Sequence, residues 1–186
     1  MSNVTQETTL QTYNVDPSHS EVGFVARHLG FTKVRGRFER FEGTVRMTPG
    51  ALDTLEAEAV IEAGSVTTNE EKRDAHLRTG DFFLVEEFPQ ITFKSTGVRD
   101  ISGTDFVLEG DLSIRGVTKR VALKAEYLGE GKDPWGGTRV GFTAQTKINR
   151  KDYGVNWNAV LETGGFLVSD EVELRLEVQA VLQQEG

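Results

Sequence analysis

The chain has 186 residues, 27% charged and 37% hydrophobic, with a formal net charge of −8. That length fits one domain with a substantial core, taken as 1–186 with its ordered part at about 12–182, and the acidic balance argues against nucleic acid as the main partner. Zero cysteines exclude disulfides, thiolate chemistry and cysteine-ligated zinc.

From the N-terminus, MSNVTQETTLQ lacks a basic stretch followed by an apolar one. A cytoplasmic location is therefore expected, with a periplasmic or secreted one left open if a signal has been removed. Period-two alternation starts at SEVGFVARHL, where Val22, Phe24, Ala26 and His28 share a face. RGRFERF and EGTVRM fit the same scheme, and TLEAEAVIEA sets Leu55, Ala57, Ala59, Ile61 and Ala63 against three glutamates. After a polar interruption the alternation resumes in QITFKS. DFVLEGDLSIR places Phe106, Leu108, Leu112 and Ile114 opposite Asp105, Glu109, Asp111 and Arg115. RVALKAEYL, RVGFTAQTKI and the C-terminal run from Val172 to Ala180 repeat it. Such segments are half-buried antiparallel strands, one face in the core and one in water.

Turn signals separate them: TPG, RDISGTD, a hairpin in LSIRGVTKR with Gly116 at its turn, and GEGKDPWGG read as a long hairpin loop. About eight or nine amphipathic strands imply a sandwich or an up-and-down barrel. The inward positions mix large residues (Phe24, Phe38, Phe93, Phe106, Phe142) with small ones (Ala57, Ala59, Ala125, Ala144). A tapered barrel interior needs that mixture, yet the pattern alone leaves the filled sandwich equally open.

The polar interruption is TTNEEKRDAHLRTGDFF. Thr68 with Glu71 predicts a capping box, Arg78 lies in the last turn, and Gly80 is placed as a left-handed C-cap, giving a helix over Thr68–Thr79. Asp81 is expected to cap a short turn, FFLVEEF, which Pro89 stops. One helical insertion, 68–87, thus sits in an all-β chain, with Phe82 and Phe83 as a hydrophobic foot or the plug of a barrel mouth.

Catalytic signals are weak. Asp74 and His76 are two apart on a helix and do not face each other. No nucleophile elbow, phosphate-binding loop, dinucleotide fingerprint or short metal-ligand spacing occurs, so no metal site, cofactor or catalytic residue is assigned. His28, in phase with the apolar face of its strand, needs a partner if it points inward.

Four blocks carry a family resemblance: YNVDPSHSEVGFVARHLGFTKVRGRFERFEGTV, SVTTNEEKRDAHLRTGDFFLVEEFPQITFKS, GDLSIRGVTKRVAL and INRKDYGVNW. In this order and spacing the chain resembles the YceI-like family from about Thr12 to Leu182. The resemblance implies an extended lipocalin-like antiparallel β-barrel of about eight strands that holds a long polyisoprenoid, a polyprenyl pyrophosphate or quinone-like lipid, as carrier or store. The expected channel residues are Phe24, Phe38, Ala59, Phe82, Phe83, Phe93, Leu112, Ile114, Phe142 and Ala144. Arg27, Arg73, His76 and Arg78 are candidates for a polar head at the mouth, with His28 further in. The lipid is the expected partner; no integral membrane segment is expected, and a homodimer is compatible with everything above. The alternatives are an enzyme acting on a small hydrophobic substrate with His28 as acid or base, and a packed structural barrel.

Overall fold

The computed structural model describes residues 9–159 and 167–184. Its strands are β1 (Gln11–Val15), β2 (Glu21–His28), β3 (Thr32–Phe38), β4 (Phe41–Thr48), β5 (Ala51–Glu62), β6 (Val66–Thr67), β7 (Gln90–Ser102), β8 (Asp105–Ile114), β9 (Val117–Lys132), β10 (Thr138–Asn149) and β11 (Glu171–Leu182). A single α-helix among the described residues, α1 (Glu71–Arg78), lies between β6 and β7. Among the described residues, no helix is long and apolar enough to cross a membrane.

All pairings are antiparallel. The order β1-β4-β5-β7-β8-β9-β10-β11 closes on itself because β1 pairs with both β4 and β11. The wall is therefore a closed eight-stranded barrel, which decides between barrel and sandwich. β2 prolongs the path of β1 along β11, and β3, paired with β2, prolongs that of β4. β6 adds to β3 through Arg37↔Thr67 and Phe38↔Val66. These extensions make the barrel long. At the break between β1 and β2, Ser20 Oγ donates to Gln179 O and accepts from Gln179 N, so a hydroxyl replaces the missing backbone partner.

Closure needs local twist, and register shifts supply it, among them one in β9 and one in β7. Tyr127 opposes Phe142 while Gly129 opposes Gly141, leaving Leu128 as the extra residue. Ser95 opposes Gly110 and Gly97 opposes Glu109, leaving Thr96 extra. The β8–β9 hairpin turns on Arg115 (φ 50°) and Gly116 (φ 73°), as the glycine signal predicts. The GEGKDPWGG segment differs from its reading as a long loop. β9 continues through Lys132, and the turn is short because the Asp133 carboxylate accepts from the backbone N–H groups of Trp135 and Gly137.

The helical insertion is real but differently punctuated. Asn69 adopts φ 62° and turns the chain, so Glu70 becomes the N-cap, its carboxylate accepting from Lys72 N and Arg73 N. Thr68 forms no capping box with Glu71. Its N–H and hydroxyl both donate to Asp74 Oδ1, at 2.7 and 2.6 Å. A buried carboxylate competes better for these donors than an exposed Glu71 across the turn. The helix ends at Thr79, extended at φ −77°, rather than at a left-handed Gly80. Asp81 caps no turn; its carboxylate meets His76 Nε2 at 2.7 Å.

Candidate functional site

The interior holds a cavity of about 270 Å³. Its floor is a packed cluster at the β1 end, where Tyr13, Met47, Val140 and Ala180 are completely buried. A second cluster at the α1 end gathers Phe38, Ile61, Val66, Phe82, Ile114 and Tyr153. The cavity lies between the two, faced by both.

All ten expected channel residues, Phe24, Phe38, Ala59, Phe82, Phe83, Phe93, Leu112, Ile114, Phe142 and Ala144, line this cavity. For the eight that lie on strands the common face follows from alternation, since every second side chain points inward; Phe82 and Phe83 enter from the segment after α1. Two glycines make room for the largest of them. A Cβ on Gly36 would lie 2.2 Å from the Phe24 ring, and one on Gly110 would lie 2.4 Å from the Phe93 ring. Each ring therefore lies flat across the neighbouring strand.

The polar candidates are placed otherwise. His28 is exposed at the last position of β2, followed by a left-handed Leu29 and Gly30 that turn the chain into β3. The phase of the strand is as read, but the strand runs past the rim of the cavity, so its final inward position meets solvent. The acid/base role assigned to His28 loses its geometric basis. Arg27 is exposed as well. Arg73 donates to Thr68 Oγ1 and Thr68 O, and Arg78 donates to Gly64 O and Val66 O. Neither lines the cavity; both bind α1 to the segment before it.

His76 occupies a seam. Its ring lies 5.1 Å from that of Phe82 and 4.7 Å from that of Trp157, nearly perpendicular to each. The cover at this end therefore has two parts. One is the α1 segment, anchored also by Arg115, whose guanidinium donates to Gly80 O and Phe82 O. The other is the stretch after β10, where a short 3-10 turn spans Arg150–Tyr153.

Arg150 organises that second part. It is 5% exposed, and its guanidinium donates to the carbonyls of Val155, Trp157, Val168 and Ser169, with Asp170 at 3.7 Å. Burial lowers its pKa, and the Asp170 charge opposes that shift. Beside it, Tyr153 is 2% exposed and lines the cavity; its hydroxyl has no hydrogen-bond partner among the described residues. Burial pushes the phenol up to about 12. Neither residue follows from strand periodicity. The only sequence signal for them is the INRKDYGVNW block.

A closed barrel with an apolar interior cavity and a two-part cover defines a binding protein for hydrophobic ligands. A model of the YceI-like domain matches residues 13–180, and the chain belongs to the YceI-like family. Protein YceI of Salmonella arizonae is 39% identical over 174 residues, covering 92% of this chain and 87% of that one. The crystal structure of BcnA from Burkholderia cenocepacia superposes with a TM-score of 0.79 at 22% identity, covering 89% of this chain and 99% of that one. A polyisoprenoid-binding domain from Saccharophagus degradans superposes with a TM-score of 0.67 at 18% identity, over 93% and 99% of the two chains. At these identities the two structures bear on the fold.

Proposed function

We propose that the protein holds a long-chain isoprenoid lipid inside its barrel, as a carrier or store. The observation that carries this reading is the cavity itself: a long interior walled by alternating phenylalanine, leucine, isoleucine and alanine. Each methylene transferred from water into such a site contributes roughly 0.8 kcal/mol, so chain length alone supplies affinity. The polyisoprenoid-binding character of the Saccharophagus degradans neighbour supports the same ligand class. At about 270 Å³ the cavity is slightly smaller than the roughly 300–1,000 Å³ typical of small-molecule pockets. Loading a long chain therefore displaces side chains at the covered end, where Leu77, Phe82 and Phe83 of the α1 segment and Tyr153 and Val155 of the second part line the cavity.

Organic extraction of the purified protein, followed by mass spectrometry, is expected to recover an isoprenoid lipid. Ala59→Phe or Ala144→Phe should fill the channel and abolish loading while the far-ultraviolet circular dichroism stays that of the parent barrel. Clean extracts together with no uptake of added polyprenyl lipid would rule the reading out.

A further inference from the structure

The ribbon formed by β2 and β3 has a tip that core packing does not explain. Its turn, His28–Phe31, is closed by Phe31 N donating to His28 O at 3.0 Å, with Leu29 at φ 56° and Gly30 at φ 73°. A left-handed first turn position usually carries Asn, Asp or Gly. Here it carries an exposed leucine, and Phe31 beside it is 83% exposed. Two apolar side chains thus project from the end of the ribbon into water.

The ribbon behind them is cationic. From Val22 to Phe38 the chain has Arg27, Lys33, Arg35 and Arg37 and no acidic residue, in a protein of net charge −8. Val22, Phe24 and Ala26 line the cavity, so alternation sets Arg27 on the outer face. Register puts Lys33 opposite Arg27 and Arg35 opposite Val25, and all three cations are exposed. Like charges directly opposite each other destabilise a strand pair, a cost that facing anions would remove. Two acids border the ribbon, and each is matched. Glu39 lies 3.7 Å from Arg37, and Glu173 accepts from Arg175 at 2.9 and 3.3 Å.

The tip lies at the covered end of the barrel. Arg27 N donates to Ser169 Oγ, Ser169 N to Arg27 O and Leu29 N to Leu167 O, so it is tied to the stretch that Arg150 holds. Trp135 is equally exposed, at 82%, in the β9–β10 turn at the floor end. The charges around that turn, Lys132, Asp133 and Arg139, are of both signs.

We propose that the β2–β3 tip docks the protein on an anionic lipid bilayer, Phe31 and Leu29 entering the interface and Arg27, Lys33 and Arg35 facing the lipid phosphates. An apolar wedge collared by cations is complementary to such a surface. Docking there turns the cover, and not the floor, to the bilayer. The inference goes beyond the isoprenoid reading and holds whatever the cavity carries.

The test is co-sedimentation of the full chain with phosphatidylcholine vesicles, with and without phosphatidylglycerol. The protein is expected to sediment with the anionic vesicles only, and to be released by high salt. Its overall negative charge repels those vesicles, so binding isolates the tip. Phe31→Ser should weaken partition about tenfold, and Lys33→Glu and Arg35→Glu at least about fivefold each. Trp135→Ser should leave it unchanged. All four variants should melt with the wild type, since the substituted side chains are exposed. No sedimentation with anionic vesicles, equal binding to neutral ones, or binding indifferent to Phe31 and Arg35 overturns the proposal. So does a concentration-dependent dimer abolished by Phe31→Ser without vesicle binding, which would assign the tip to contact between copies. None of these outcomes bears on what is extracted from the cavity, so the two readings fail separately.

Discussion

Gly36 and Gly110 show how much of the cavity is decided by single residues. Neither is required by a positive φ; each is required by the ring that lies across it, Phe24 on Gly36 and Phe93 on Gly110. A methyl group at either position forces the ring off its rotamer and into the cavity. Gly36→Ala should therefore cost about 1–3 kcal/mol in chemical denaturation and shrink the channel, and a second change, Phe24→Leu, should restore most of the loss. An undiminished denaturation midpoint in the single variant would show that the ring has another place to go. These glycines, in RGRF and LEGD, carry no turn signal and could be assigned only once the strands were paired. The inward phenylalanines were legible because alternation alone orients them. His28 shows where that logic ends, since phase says which way a side chain points and not how far the wall extends.

At the scale of elements, the cover is where sequence reasoning identified the piece and misjudged its fastening. The insertion at 68–87, with Phe82 and Phe83 directed inward, was readable from composition and helix signals. Its anchors were not, because they are long-range: Arg78 reaches back to Gly64 and Val66, and Arg115 crosses from the β8–β9 turn to Gly80 and Phe82. Charges that looked like a solvated or head-binding face are spent on backbone carbonyls. Removing one such anchor should loosen the cover without unfolding the wall. In Arg78→Ala, amide hydrogen exchange across 71–88 is expected to rise about 5- to 30-fold, corresponding to 1–2 kcal/mol. Exchange in β8 and β9 should stay at the parent rate, and bound lipid should leave faster. Equal acceleration in wall and cover would mean that the barrel depends on this contact for its own stability.

For the whole molecule, closure was the property that alternation could not reveal: a sandwich and a barrel bury the same faces, and only the β1–β11 pairing separates them. That seam has an electrostatic latch. Asp16, just past β1, accepts from Ser18 and His19 and from Arg139 on β10, which also binds Asp133 and Gln179. The hydrogen bonds from Ser18 and Arg139 hold the Asp16 carboxyl far below the usual carboxylate range. A group depressed in the folded state stabilises the fold above its unfolded pKa, near 4, and that contribution disappears as pH falls toward the folded value. Melting temperatures followed from about pH 7 to about pH 2 should therefore decline for the wild type below about pH 4. Asp16→Asn should melt lower at neutral pH, with the gap to wild type narrowing in acid. A gap of constant size would assign the effect to packing instead of charge.

The packed floor at Tyr13, Met47, Val140 and Ala180 has a consequence for traffic. A tube stoppered at one end is a quiver: what goes in tip first comes out by the same opening, nock first. On the carrier reading proposed above, donor and recipient would have to present themselves to one face of the molecule, in turn and never together. Any handover is a visit followed by a departure, with no through passage from one side of the protein to the other.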